Sequence, residues 1–421
     1  MDISTYEQIG SSTEINKRSV TVSRLPKGVV LRERLGIVAS EHLDGQIVHR
    51  ARDPEGGLYE CRATIAPNGD FLLMFPDGGH YGGKSEKVND MLAYRSSDGG
   101  VTWQGPHIAF DIDYNQHGFI PLTPRGTNRI YAFGTQPVWD DERINGLKQS
   151  NGLHENAPIG FRYSDDNGHT WSKLTQIAPA NDPGFRGMSV MRMCETDAGT
   201  WLLGSHEADW SYKPLMTRQY ILRSEDRGQT WNVAPYKRHG GWCVPQFNRM
   251  DEGRPISLGS GGVFLMTRTC EGHLWGLWSE DDGQTWTHPQ PTPLVHPDAP
   301  PMLFHLTDGK TLVAFHHNRY SDFNYTGLST VKSEVMKDRS EIWLATSTDG
   351  GHTWSEPRFV FANALSEAFS RPFRNFQCSY MDCVVTDGTI HLFVPHRWQR
   401  VLHLTIEESR IQNLLTENNL Q

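Results

Sequence analysis

The sequence predicts an all-β protein, and within that class a six-bladed β-propeller. Three observations lead there. The pattern S-x-D-x-G-x-T-W occurs five times: SSDGGVTW from Ser96, SDDNGHTW from Ser164, SEDRGQTW from Ser224, SEDDGQTW from Ser279 and STDGGHTW from Ser347. The central residues Asp98, Asp166, Asp226, Asp281 and Asp349 stand 68, 60, 55 and 68 residues apart, and each interval has room for about four short strands, which is one blade. Apolar and polar residues alternate on both sides of the turn, as in MLAYRSSDGGVTWQGPHIAF and IWLATSTDGGHTWSEPRFVF, with the period of a strand.

Each element follows from that frame. In the repeat, aspartate bonds its own backbone, glycine supplies a positive φ and tryptophan packs over the turn, so the repeat reads as a structural hairpin turn. GDFLLMFPDG, GTWLLGSHEADW and GTIHLFVPHR supply further strands. The chain length divided by the interval gives six or seven blades, five with the signature and a sixth without it. Residues 1–421 form one propeller domain in this reading. The N-terminal strands of GVVLRERLGIVAS close the ring against the last blade, and a short C-terminal helix lies near residues 406–417. The stretches GHYGGKSEKVND and HHNRYSDFNYTGLSTVKSEVMKD are longer than hairpins need, and long loops on a rigid scaffold are where function concentrates.

Composition narrows the partners. A net charge of −9 with no basic run argues against a nucleic-acid surface. The 13 tryptophans and 13 tyrosines suit a sugar-binding protein, although the repeats supply five of the tryptophans. Cys61, Cys194, Cys243, Cys270, Cys378 and Cys383 contain no C-x-x-C pair and read as buried thiols. His80, His206 and His316 or His317 lack zinc-ligand spacing, so neither metal nor cofactor is expected. The N-terminus MDISTYEQIGSS shows no leader pattern, and no stretch of eighteen apolar residues occurs. The expectation is a protein free of the membrane, cytoplasmic, or secreted or periplasmic if a leader has been removed. Oligomeric state is not legible.

The five repeats resemble the Asp boxes of the sialidase superfamily, and the resemblance spans roughly residues 55–400. It implies a sialidase-like propeller and places three functional positions. In YECRATIAPNGDFLLMF, Arg62 takes the place of the first carboxylate-binding arginine. In RSEIWLATSTDGG, Arg339 stands eight residues before the box serine, as the third arginine does. In CSYMDCVVTDGTIHLFV, Tyr380 takes the place of the nucleophilic tyrosine. Three positions depart. Counting from Glu195 of ETDAG, the glutamate that activates the tyrosine is replaced by Val190, and the second arginine by His206, followed by Glu207. The general-acid aspartate falls on Ser85, beside Glu86.

The candidate catalytic residues are therefore Tyr380, His206, Glu207, Glu86 and His80. The candidate substrate-binding residues are Arg62, Arg339, Arg374, Arg319, Asp382, His316 and His317. Guanidinium forks suit a carboxylate, which points to a sialic acid, another keto sugar acid or a uronic acid. Asp382 follows Tyr380 at strand period two, and the glycines around His80 allow close approach of a ligand. Three functions fit. An exo-type glycoside hydrolase would use Glu86 or Glu207 as acid with Tyr380 or a carboxylate attacking or activating water. A polysaccharide lyase would use His206 or His80 as base and Tyr380 as acid on a uronate. A non-catalytic propeller would only bind glycans.

Overall fold

The structure, a computed structural model, describes residues 12–16, 18–21, 24–52, 58, 60–77, 89–112, 118–135, 156–209, 211–212, 215–236, 238, 240–244, 249–319, 338–364 and 377–420. The chain divides into two compact units. One comprises Met1–Arg50, Cys270–Leu274 and Pro291–Gln421; the other comprises Ala51–Thr269 and Trp275–Gln290.

The second-named unit is a series of antiparallel sheets taken in chain order. The first sheet runs Arg62–Ile65, Phe71–Asp77, Asn89–Ser96 and Gln104–Ile112. The second runs Ile120–Leu122, Ile130–Thr135, Ile159–Ser164 and Thr175–Ile177. In the third, Ser189–Val190 and Cys194–Glu195 both pair with Trp201–Asp209, followed by Met216–Ser224 and Asn232–Ala234. The fourth begins with Asp251–Gly259, Gly262–Arg268 and residues 275–279.

These inner strands are buried on both faces. Successive side chains point to opposite sides of a strand, and GTWLLGS shows the consequence. Trp201 and Leu203 pack with Phe133, Ile159 and Trp231, whereas Leu202 between them packs with Val263, Leu265 and Leu277. Between the third and fourth sheets the backbones come so close that a Cβ on Gly204 would lie 1.8 Å from the carbonyl oxygen of Gly253. No other residue type fits there.

The other unit holds two larger sheets besides the antiparallel pair Ser12–Ile15 and Arg18–Thr21. The fifth is Met302–His305, Leu312–His316, Glu341–Ser347 and Arg358–Asn363, extended by Ile37–Ser40 and then Val29–Arg32. The sixth is Asp382–Thr386, Thr389–His396, Arg400–Glu407 and Asp44–Arg50. Phe315, Leu344 and Val360 of the fifth share one core with Leu392, Leu402 and Leu404 of the sixth. The stretch 28–40, expected to add to the last sheet, instead borders the fifth, with Phe361 opposite Ala39. Asp44–Arg50 takes the expected place because Gly45 lets it approach: a Cβ there would lie 2.3 Å from the carbonyl oxygen of His403. The helix expected near 406–417 is replaced by two 3-10 turns, Glu408–Asn413 and Glu417–Asn419. Strand pairing continues to Glu407, and the first turn buries only Ile411.

All five repeats fall at the end of the third strand of a sheet and share one hydrogen-bond set. In the first, the Ser96 hydroxyl donates to Asp98 Oδ1 at 2.7 Å and accepts the Gly100 N–H at 2.7 Å. Thr102 donates its N–H to Oδ1 at 2.9 Å and its hydroxyl to Oδ2 at 2.6 Å. Asp166, Asp226, Asp281 and Asp349 repeat the pattern. The indole N–H groups of Trp231, Trp286 and Trp354 donate to the carbonyls of Gly228, Gly283 and Gly351. The sixth sheet has no such turn, as the sequence predicts; the first 3-10 turn follows its third strand instead.

The hydroxyl and N–H of Thr102, with the Ser96 hydroxyl, hold Asp98 down to about 2. At Asp349 burial pushes upward, and the bonds from Thr353 and Ser347 outweigh it, to about 2. A carboxylate with a lowered folded value contributes stability above its unfolded value, about 4, and loses it as pH falls through the folded value. Asp226→Ala is expected to lower stability by about 1–3 kcal/mol through unpaired turn groups, with activity per folded molecule unchanged. Urea melts at neutral pH check this, and a folded but inactive variant would place the box in the chemistry.

Candidate functional site

His80, Glu86 and Arg374 lie outside the described residues. The other candidates are placed as follows, one unit at a time.

In the unit that carries the first four sheets, Arg62 opens the first strand and is buried. Its Nη2 donates to Glu60 Oε2 at 2.6 Å, and the other Glu60 oxygen accepts the Gly118 N–H. His206 and Glu207 are neighbours on Trp201–Asp209 and therefore face opposite sides of the third sheet. Glu207 accepts the Tyr220 hydroxyl at 3.0 Å and lies 3.6 Å from Arg238. Burial, then the Glu207 charge, pushes the Tyr220 phenol well above its ordinary value. His206 turns the other way. Its Nδ1 lies 3.3 Å from the Ser189 hydroxyl and accepts the Glu252 N–H at 3.5 Å. A ring that accepts a backbone N–H at Nδ1 carries its neutral-state proton on Nε2.

Beside His206 is a cluster that the sequence reading missed. Arg268 Nη1 donates to Glu252 Oε2 at 2.5 Å, and Arg268 Nε lies 3.5 Å from Asp251 Oδ1. Arg249 and the Thr217 hydroxyl bond the other Asp251 oxygen at 2.8 and 2.9 Å. Glu252 sits at a register shift between Asp251 and Arg254 and has φ +49, a region that non-glycine residues enter at a cost. Glu252 and Arg268 supply, one sheet later, the residue types sought at Val190 and His206. Val190 belongs to the core. Glu195, the anchor for that count, is a structural tie that accepts the Arg125 N–H at 2.7 Å and the Trp201 indole at 3.3 Å. The available signal was DEGRP, a polar run at the start of a strand, easily read as loop.

In the other unit, Arg339 precedes Glu341–Ser347 and is buried. Its Nη1 donates to the Ser379 hydroxyl at 3.1 Å, and its Nη2 to the Asp298 carbonyl. Its guanidinium carbon lies 5.9 Å from the Tyr380 ring centroid. Tyr380 is buried with φ +60. Asp382 is fully buried and begins the next strand. Arg319 pairs with Glu341 and lies 3.5 Å from Asp338. His316 and His317 point their Nδ1 atoms at the Val295 and Glu341 carbonyls, at 2.9 and 2.8 Å. Burial holds His316 down to about 4 and His317 down to about 3. Both are neutral near pH 7.

Among these arginines the partners differ in kind. Arg62, Arg268 and Arg319 each meet a carboxylate. Among the described residues Arg339 forms no ion pair, and its Nε has no hydrogen-bond partner. No group of three or more histidine, cysteine, aspartate or glutamate side chains among the described residues is arranged to hold a metal. A groove of about 500 Å³ lies at the third box turn, lined by Arg125, Asp197, Asp226 and Arg227. It contains none of the candidates, and its arginines are engaged with Glu195 and Asp197. No helix among the described residues is long and apolar enough to cross a membrane.

Comparison with known proteins agrees with the repeats. The BNR repeat-like domain family matches residues 69–392. A sialidase of Micromonospora viridifaciens is 28% identical over 234 residues, covering 49% of this chain and 32% of the relative. A xyloglucanase of a Paenibacillus species is 26% identical over 299 residues, covering 66% and 24%. The chain thus spans a quarter to a third of the length of these relatives. Among solved structures, the intramolecular trans-sialidase from Ruminococcus gnavus, in complex with oseltamivir carboxylate, superposes with a TM-score of 0.58 at 14% identity. That match covers 87% of this chain and 98% of the other. Likeness at this identity establishes the fold, the six-bladed propeller.

The buried histidines give an acid response. His296 and His396 are also held well below their ordinary value, first by burial. A histidine with a lowered folded value contributes stability above about 6.5, which is lost as pH falls toward the folded value. Burial pushes Glu341 the other way, to about 7 despite Arg319, so below that pH the folded state takes a proton there and gains. Four histidines outweigh one glutamate, and stability is expected to fall from about pH 6.5 to pH 4. Urea melts across that range should show a shallower fall in His316→Asn and a steeper one in Glu341→Gln. A flat profile in the parent protein would contradict the assignment.

Proposed function

The chain belongs to the BNR repeat-like family, and from that premise we propose that it is a sialidase-like glycoside hydrolase, exo-acting on an acidic glycan. One observation carries this reading. Arg339 is a buried cation with no ion pair among the described residues, held by a hydroxyl and a carbonyl beside Tyr380. A buried charge requires a counter-charge, and a planar guanidinium matches a carboxylate. A sialic or uronic acid brings that carboxylate with it.

The roles follow from each group's surroundings. Arg339 binds the carboxylate. Tyr380, whose left-handed backbone is a conformation retained where it has a use, is the nucleophile. The xyloglucanase among the relatives keeps a neutral glycan as the competing substrate class.

A panel of acidic and neutral aryl glycosides and polysaccharides tests the reading. Release of reducing sugar from acidic substrates only is the expected result. Arg339→Lys should then raise KM for them at least tenfold, since lysine lacks the paired donors. Tyr380→Phe should lower kcat by about a hundredfold or more. Products absorbing as unsaturated uronates would instead establish the lyase, and equal losses on acidic and neutral substrates would dismiss the carboxylate role of Arg339.

A further inference from the structure

The stretch from Asp251 to Arg254 departs from regular pairing. Asp251 lies opposite Arg268 and Arg254 opposite Met266, so the chain between them bulges. A bulge re-aims side chains, and here it turns Glu252 onto Arg268. What holds the bulge comes from the third sheet. Gln219 Oε1 accepts the Gly253 N–H at 2.6 Å, and Gln219 Nε2 donates to the carbonyls of Ser205 and Tyr220 at 2.8 and 2.7 Å. Gln219 is fully buried, and its backbone is paired in both directions with Trp242. Its amide is thereby fixed with its oxygen toward Gly253. His206, directly across from Gln219 in the sheet, accepts the Glu252 N–H. Gly204 and Gly253 permit the contact: a Cβ on Gly253 would meet the Gln219 amide at 2.5 Å.

We propose that Gln219 and His206 are positioning residues, which from the third sheet lock the Asp251–Arg254 bulge in the shape that holds Glu252 against Arg268. The two consecutive N–H groups of Glu252 and Gly253 are turned out of their own sheet's ladder and taken up by two side chains of the neighbouring sheet. Unpaired, they would be buried donors, which the fold avoids. The lock therefore decides both the strained backbone of Glu252 and the place of its carboxylate against Arg268. It is a property of this unit and does not rest on the function proposed above.

Three variants of the full chain test it. Gln219→Leu removes the acceptor for Gly253. His206→Leu removes the acceptor for Glu252, and His206→Asn keeps an acceptor at the place of Nδ1. Two readouts need no activity: hydrogen exchange at the amides of Glu252 and Gly253, and titration of the Glu252 carboxyl followed by carbon-13 NMR. Gln219→Leu and His206→Leu should speed exchange at those amides at least tenfold. They should raise the Glu252 midpoint by about one pH unit or more, because a carboxylate that leaves an arginine loses a shift of that order. His206→Asn should restore most of both. Faster exchange with an unmoved midpoint would overturn the proposal, as would unchanged exchange. If Gln219→Leu does not fold, the two His206 variants decide the question.

Discussion

A strand buried on both faces has no place for an unmatched polar group, and most of this structure follows from that constraint. Trp201, Leu202 and Leu203 belong to cores on opposite sides of a single strand. Several of the buried charges have a carboxylate built in: Glu60 for Arg62, Glu252 and Asp251 for Arg268, Glu341 and Asp338 for Arg319; Arg95 is held by the backbone carbonyls of Asn167 and Gly168 instead. Where the backbone itself departs from the ladder, as at Glu252 and Gly253, the neighbouring sheet supplies acceptors. Among the candidate arginines, Arg339 meets a hydroxyl and a carbonyl and no carboxylate among the described residues, which is the basis for proposing a bound anion there.

The Asp-box turns obey a different constraint. They lie at strand ends near solvent, where a turn has no core to hold it. Each therefore carries its own stabilisation: a carboxylate with bonds from two hydroxyls and a backbone N–H, and in three copies an indole closing onto the box glycine. Such a turn is spelled by local residues alone. It recurs almost letter for letter while the strands between copies vary, and it marks the architecture without bearing on the substrate.

The candidate residues divide along the same line. Arg62, Arg339 and Tyr380 were proposed from local patterns: a strand opening, a fixed distance to a box, and a strand resemblance. Glu252 and Arg268 were missed because their relation depends on a bulge and on a neighbouring sheet. Counting from Glu195 led instead to Val190, a core residue, and to His206, whose role depends on which neighbour its Nδ1 meets. The histidines were legible as unusual in number, yet their chemistry was not. His316 and His317 are neutral because burial outweighs the backbone carbonyls at their Nδ1 atoms, which favour the charged ring, a fact of packing.

By itself the sequence determined the all-β class, the repeated turns and the count of blades with one unmarked. These are properties of period and of short-range hydrogen bonding, which neighbouring residues settle among themselves. Only the tertiary structure decided which N-terminal strand completes the sixth sheet, which arginines are already neutralised, and how Glu252 is turned onto Arg268. Each of those depends on atoms far apart in the chain that meet across sheets. Whether a backbone can come close enough is decided there by the absence of a single Cβ, at Gly45, Gly204 or Gly253.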